Sequence, residues 1–179
     1  METIDQMTGD QADDDDSPVV IVEDHHGLFA EIVIADNRWL DLLDGDFRAR
    51  LAAAFRACLN KAGIEAAEWT ILLSDDASVA ELNMAHRGKN GATNVLSFPD
   101  DDDDDFLGDI ALAWGVMEGE AAGLSISMTD HALHLMVHGV LHLLGHDHQD
   151  DAEATTMEQL EISILGSVGV ADPYDEARE

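Results

Sequence analysis

The sequence predicts an α+β fold, a small mixed four-stranded sheet packed against helices, with a central helix that carries a metal-ligating histidine pattern. Three observations lead there. Four short β-rich runs, Glu31–Ala35, Trp69–Leu73, Val95–Phe98 and Asp109–Trp114, are separated by helical patterns without regular alternation. Apolar residues make up 46% of the 179, enough for one core. The helical stretch Thr129–Leu144 sets several histidines on one side.

Taken in order, residues 1–28 are rich in Asp, Gln and Gly and read as a disordered acidic tail, with the domain proper over 29–166. Glu31–Ala35 is the first strand. Across Asp46–Ala62 the apolar residues Phe47, Leu51, Ala54, Phe55, Cys58 and Leu59 recur at helical spacing, and Gly63 ends that helix. Trp69–Leu73 is the second strand, and Ser74 or Asp75 caps a helix running to about His86. Val95–Phe98, closed by Pro99, is the third. The charges of Asp100–Asp105 repel one another, so this run is a loop, and with Asp109–Trp114 it makes a hairpin with an acidic tip. Residues 115–123 form a short helix. Thr129–Leu144 forms a long one stopped by Gly145, and 151–165 forms the last. Residues 167–179 read as an acidic C-terminal tail.

Eight Lys plus Arg face 39 Asp plus Glu, a net charge of −31. Such a surface suits a salty cytoplasm, where ions screen its self-repulsion, or a basic protein partner. It weighs against broad nucleic-acid binding, which depends on Lys and Arg to neutralise phosphates. Any such contact must be local, or carried by a metal. No run approaches the roughly 20 apolar residues of a membrane-spanning helix, so no membrane partner is expected. The start METIDQMTGDQADDDD has neither a basic nor an apolar stretch and is not expected to act as a secretory signal. Cys58, the one cysteine, sits among Ala and Leu and reads as a small buried hydrophobe. The absence of any internal disulfide fits a reducing, cytoplasmic setting. The run Asp13–Asp16 lacks the alternation and glycine of a calcium loop, and the pair His25-His26 has no evident partner.

The chemistry concentrates in residues 138–148, H-G-V-L-H-L-L-G-H-D-H. His138 and His142 are four apart, an offset of about 40° and a rise of about 6 Å on a helix, so both rings point the same way. Gly145 can turn the chain so that a further histidine folds back onto the same point. His148 is placed for this, and His146 is its rival. Three neutral imidazoles with an open fourth position suit a catalytic zinc, although nickel, copper or iron share that ligand chemistry. Asp147 could orient a ligand ring. His134 lies on the face of His138 but about 12 Å along the axis from His142, too far to share an ion with it. His134 and His131 therefore read as packing or supporting residues. A zinc peptidase helix carries Glu after its first histidine as general base, and here that residue is Gly139.

A second segment, Asn83 to Pro99, contains Arg87 and Lys89, two of the chain's few cations, leading into a strand where they could hold a phosphate. Together the two segments resemble the bacterial YbeY family of endoribonucleases, also called rRNA maturation factors. The histidine run matches the family's signature. Leu82-Asn83, Arg87 and Thr93-Asn94-Val95-Leu96-Ser97-Phe98-Pro99 match its second motif, and Leu107-Gly108-Asp109-Ile110 matches the strand that follows. The resemblance spans roughly residues 31–165. It implies one zinc held by His138, His142 and His148, an arginine near the metal at Arg87, and Arg87 and His138 as candidate catalytic residues. It also implies cleavage of single-stranded RNA, in maturing the 3′ end of 16S rRNA and in ribosome quality control. The implied partners are single-stranded rRNA and the ribosome or its proteins. Asn94 stands where the family usually has Asp, so a charge is expected to be lost there. Two other readings compete. The histidine spacing also resembles metzincin peptidases, and a non-catalytic ribosome-binding factor with a structural metal is the other. A general single-strand binder is disfavoured by an aromatic content of 5%.

Overall fold

Strand residues alternate between two faces, and here both faces are covered. The computed structural model describes residues 16–176. It contains strands β1 (Val19–Glu23), β2 (Leu28–Ile34), β3 (Ala67–Ser74), β4 (Val95–Pro99) and β5 (Phe106–Ala113), and helices α1 (Gly45–Ala62), α2 (Asp76–Arg87), α3 (Trp114–Leu124), α4 (Met128–Leu143) and α5 (Asp151–Ser167). The sheet order is β1-β2-β3-β5-β4, with β2, β3 and β5 parallel and the outer strands antiparallel to their neighbours. The α+β expectation holds, and the expected acidic hairpin is β4–β5.

Two expectations are corrected. The sheet has five strands, because Val19–Glu23, assigned to the acidic tail, pairs with β2. Hydrogen bonding to β2 supplies the order that composition hid, and the β1–β2 turn is pinned from outside. Asp24 accepts the N–H groups of His26 and Leu28 and a two-pronged ion pair from Arg56 on α1. Gly27 takes a positive φ of 95° with no room for a side chain, since a Cβ would lie 2.7 Å from that of Ala66. His25 and His26 occupy this turn, away from the histidine cluster. Residues 1–15 of the expected tail lie outside the described residues. The second correction is C-terminal. α5 runs to Ser167, and the chain beyond it packs back. Val170 is buried, the Val168 carbonyl accepts from Arg50, and Tyr174 reaches α5.

Helix ends follow the sequence closely. Asp44, Asp75 and Ser127 each accept an N–H of the first turn of α1, α2 and α4, and Gly63 and Gly88 close α1 and α2 with φ of 71° and 62°. Leu28, Ala30, Ile32, Trp69, Ile71, Ile110 and Leu112 join the core beneath α1, α4 and α5. Leu72, Leu96, Phe98 and Ala111 face the other way, onto Val79 and Leu82 of α2. α4 lies deepest, with ten of its 16 residues buried. Burial on both faces explains why Ile71-Leu72-Leu73 is continuously apolar rather than alternating. Cys58 is fully buried, as expected, and burial pushes its thiol up to about 12. Among the described residues no helix is long and apolar enough to cross a membrane.

Candidate metal centre

The C-terminal end of α4 abuts edge strand β4, and the cavity between them holds about 610 Å³. His138 and His142 enter it from α4. After Leu144 the chain turns at Gly145, φ 96°, with the His146 N–H bonded back to the Leu141 carbonyl, and this brings His148 round. The rings of His138, His142 and His148 each offer a nitrogen, and these three atoms lie within 4.8 Å of one another. Ring centroids are 4.6 Å apart for 138–142, 5.1 Å for 142–148 and 5.8 Å for 138–148.

Outer contacts decide which nitrogens are free. His142 Nδ1 lies 2.9 Å from the His146 carbonyl, which can only accept, so Nδ1 carries the proton. His138 Nδ1 bonds to a carboxylate oxygen of Glu161. Both Nε2 atoms therefore present lone pairs, and they face each other at 3.0 Å. Two lone pairs at that distance repel unless a cation lies between them. Zinc–nitrogen bonds of about 2.0–2.1 Å put tetrahedral ligand atoms about 3.3 Å apart. The donor set thus fits a divalent transition ion. Burial, then the neighbouring His138 and His148, lowers the pKa of His142 to about 4, keeping it neutral as a ligand must be.

His146 and His148 differ in where they place their groups. His148 joins the ring cluster, whereas His146 contributes its main-chain carbonyl to His142. Asp147 orients no ligand ring. Its carboxylate accepts the N–H of His148 and the side chain of Gln149, which shapes the turn.

Arg87 is the last residue of α2, which packs on the opposite face of the sheet. It reaches round the β4 edge, lines the same cavity, and donates to the Ser97 carbonyl at 3.0 Å. Lys89 is exposed and absent from the lining. Asn94 also lines the cavity. Its oxygen accepts the Val95 N–H and its amide nitrogen lies 3.1 Å from Glu120, which also bonds to His131. An aspartate at 94 would set two carboxylates against each other, so the neutral amide suits Glu120. A carboxylate stays in that neighbourhood, supplied from α3.

The sequence reading missed Glu161 and Tyr174. Glu161, on α5, is fully buried against His138 and lies 3.4 Å from His134, and the Tyr174 hydroxyl donates to it. Burial works to raise the Glu161 carboxyl. Hydrogen bonds from His134, His138 and the Tyr174 hydroxyl outweigh it and bring the pKa down to about 2. A signal was available, because Glu161 shares the buried helical stripe of Met157, Ile164 and Leu165, where an acid needs partners.

Gly139 is explained by packing. A Cβ there would lie 3.0 Å from two side-chain carbons of Ile110, and the Gly139 carbonyl accepts from Ser97 Oγ at 3.1 Å. The helix is pressed onto the sheet where a peptidase would carry its glutamate.

Comparison with known proteins gives the fold and the family. A Thermotoga maritima protein solved in solution shares the fold, with a TM-score of 0.54 at 22% identity, covering 82% of this chain and 99% of that one. Proteins named Endoribonuclease YbeY are similar in sequence. The one from Rhodospirillum rubrum is 51% identical over 120 residues, 62% of this chain and 60% of that one. The one from Maricaulis maris is 46% identical over 145 residues, 80% and 90% of the respective chains. Residues 35–169 match the family described as Endoribonuclease YbeY, with the histidine helix, the turn after it and the Arg87 segment all inside the match, and the chain belongs to that family.

Proposed function

We propose that this protein is an endoribonuclease that hydrolyses phosphodiester bonds of single-stranded RNA, with one zinc ion held by His138, His142 and His148. The observation that carries the reading is the pair of opposed Nε2 lone pairs, with the His148 ring beside them. Held by these three nitrogens, zinc would supply Lewis acidity toward a phosphoryl oxygen or water. In the reaction a water gives up a proton as its oxygen bonds to phosphorus, the bond from phosphorus to the leaving ribose oxygen breaks, and that oxygen takes up a proton in turn. Arg87 holds a phosphate in the cavity and stabilises charge as it develops there. His138 keeps its ring fixed through Glu161, so its Nε2 faces the ligand point. Asp147, both of whose oxygens are engaged, is poorly placed as general base.

Two features favour RNA over peptide. Gly139 leaves no room for the peptidase glutamate. Arg87 also occupies the Ser97 carbonyl on the open edge of β4, where an extended peptide would add as a strand. By resemblance, the substrate is rRNA, including the 3′ end of 16S rRNA, and the setting is the ribosome in the cytoplasm. The net charge of −31 suits contact with basic ribosomal proteins. Purified protein is expected to cut a single-stranded RNA, to lose that activity to a chelator and regain it with zinc, and to leave a peptide library intact. Nuclease activity indifferent to chelation, or peptide cleavage, would overturn the assignment.

A further inference from the structure

We infer that Glu161 and Tyr174 are positioning residues that set the strength of the metal site through His138, so that the chain beyond α5 forms part of that site. The inference rests on the metal reading above. Glu161 has no solvent exposure, and a buried carboxylate is tolerated only where donors surround it. Its Oε1 meets His138 Nδ1, and its Oε2 meets the Tyr174 hydroxyl, with His134 Nε2 at 3.4 Å. His134, His138 and Glu161 also lie close enough to suggest a second ion site. The proton inventory argues otherwise. His138 has two nitrogens, and its Nε2 already faces His142, so an ion at Nδ1 would require the ring to lose both protons. Each Glu161 oxygen already has a donor.

The arrangement instead fixes His138 as the Nδ1–H tautomer and raises the basicity of Nε2. Tyr174, the only tyrosine, orients the carboxylate. It lies seven residues past the end of α5, and its ring stands edge-on to that of His134, with centroids 5.6 Å apart. Residues that read as an acidic tail thus close the back of the site.

The test measures zinc affinity of the full chain by competition with a chromophoric chelator, for wild type, Glu161→Gln, Tyr174→Phe and His142→Ala. It also records the ring nitrogen resonances of His138 in metal-free protein. Glu161→Gln is expected to weaken zinc by about 10- to 100-fold, the usual effect of losing such a partner. Tyr174→Phe is expected to produce a smaller loss in the same direction. The Nδ1–H signature should persist in wild type and Tyr174→Phe and give way to mixed tautomers in Glu161→Gln. If Glu161→Gln does not fold, Tyr174→Phe decides, because Tyr174 is 38% exposed and its loss leaves no core cavity. Zinc affinity unchanged from wild type in the folded variants overturns the inference while leaving the metal reading intact. A wild type that binds no zinc, or a His142→Ala variant that binds it equally well, overturns the metal reading itself.

Discussion

Replacing His142 with alanine is expected to weaken zinc binding by about 100-fold and to lower RNA cleavage in parallel when zinc is limiting. Structural zinc sites gain roughly 10–16 kcal/mol from four ligands, about 3 kcal/mol for each, or about two orders of magnitude. His142 is central to the cluster, with its ring closest to both others. His146→Ala is the informative control. Its ring is outside the cluster, and the main-chain carbonyl that holds His142 Nδ1 survives the substitution. Metal content and cleavage should therefore stay near wild type in His146→Ala. Equilibrium dialysis and digestion of a single-stranded oligoribonucleotide measure both effects. Equal losses in the two variants would mean that the turn, rather than the ring nitrogens, is what matters.

Gly139→Glu recreates the peptidase spacing in the sequence, and it is expected to unfold the protein rather than change its chemistry. The new Cβ would press on Ile110 at 3.0 Å, and overpacking of this kind costs about 1–3 kcal/mol. A carboxylate driven into this buried stretch of α4 adds several kcal/mol more. The sum, about 5 kcal/mol or more, is comparable with the whole stability of a small domain. Gly139→Ala separates the two costs. Its helix propensity contributes about 1 kcal/mol in favour, against an overpacking cost of about 1–3 kcal/mol. That variant should fold with a modestly lower melting temperature and keep both zinc and nuclease activity. Thermal melts followed by circular dichroism, with a peptide digest alongside, measure this. A well-folded Gly139→Glu variant that cleaves peptides would contradict the packing account.

Much of the fold was legible because local and tertiary signals agree. Gly63 and Asp75 bound helices where the sequence places them, while Asp44 and Gly88 cap the other ends within two residues of the expected limits. Trp69–Leu73 and Val95–Phe98 fall wholly on strands, whereas Glu31–Ala35 and Asp109–Trp114 each start three residues late and end one residue late. β1 was hidden because VVIVE follows a run of aspartates, and composition averages over both. What orders it is non-local, namely pairing with β2 and the hold of Arg56 on Asp24. The histidine cluster could be read because His138, His142 and His148 lie within eleven residues of sequence on one helix and its turn. Glu161 and Tyr174 converge on the same histidines from 23 and 36 positions beyond His138, and spacing along one helix cannot report such contacts. The role of Asn94 was equally out of reach, because its meaning depends on Glu120, which α3 carries to it.

X-ray absorption at the zinc edge of stoichiometrically loaded wild-type protein tests the shared ligand point most directly. Three imidazole nitrogens at about 2.0–2.1 Å, with one further oxygen from solvent, are expected. A first shell with fewer than three imidazoles, or one closed by a carboxylate such as Glu161, would contradict it.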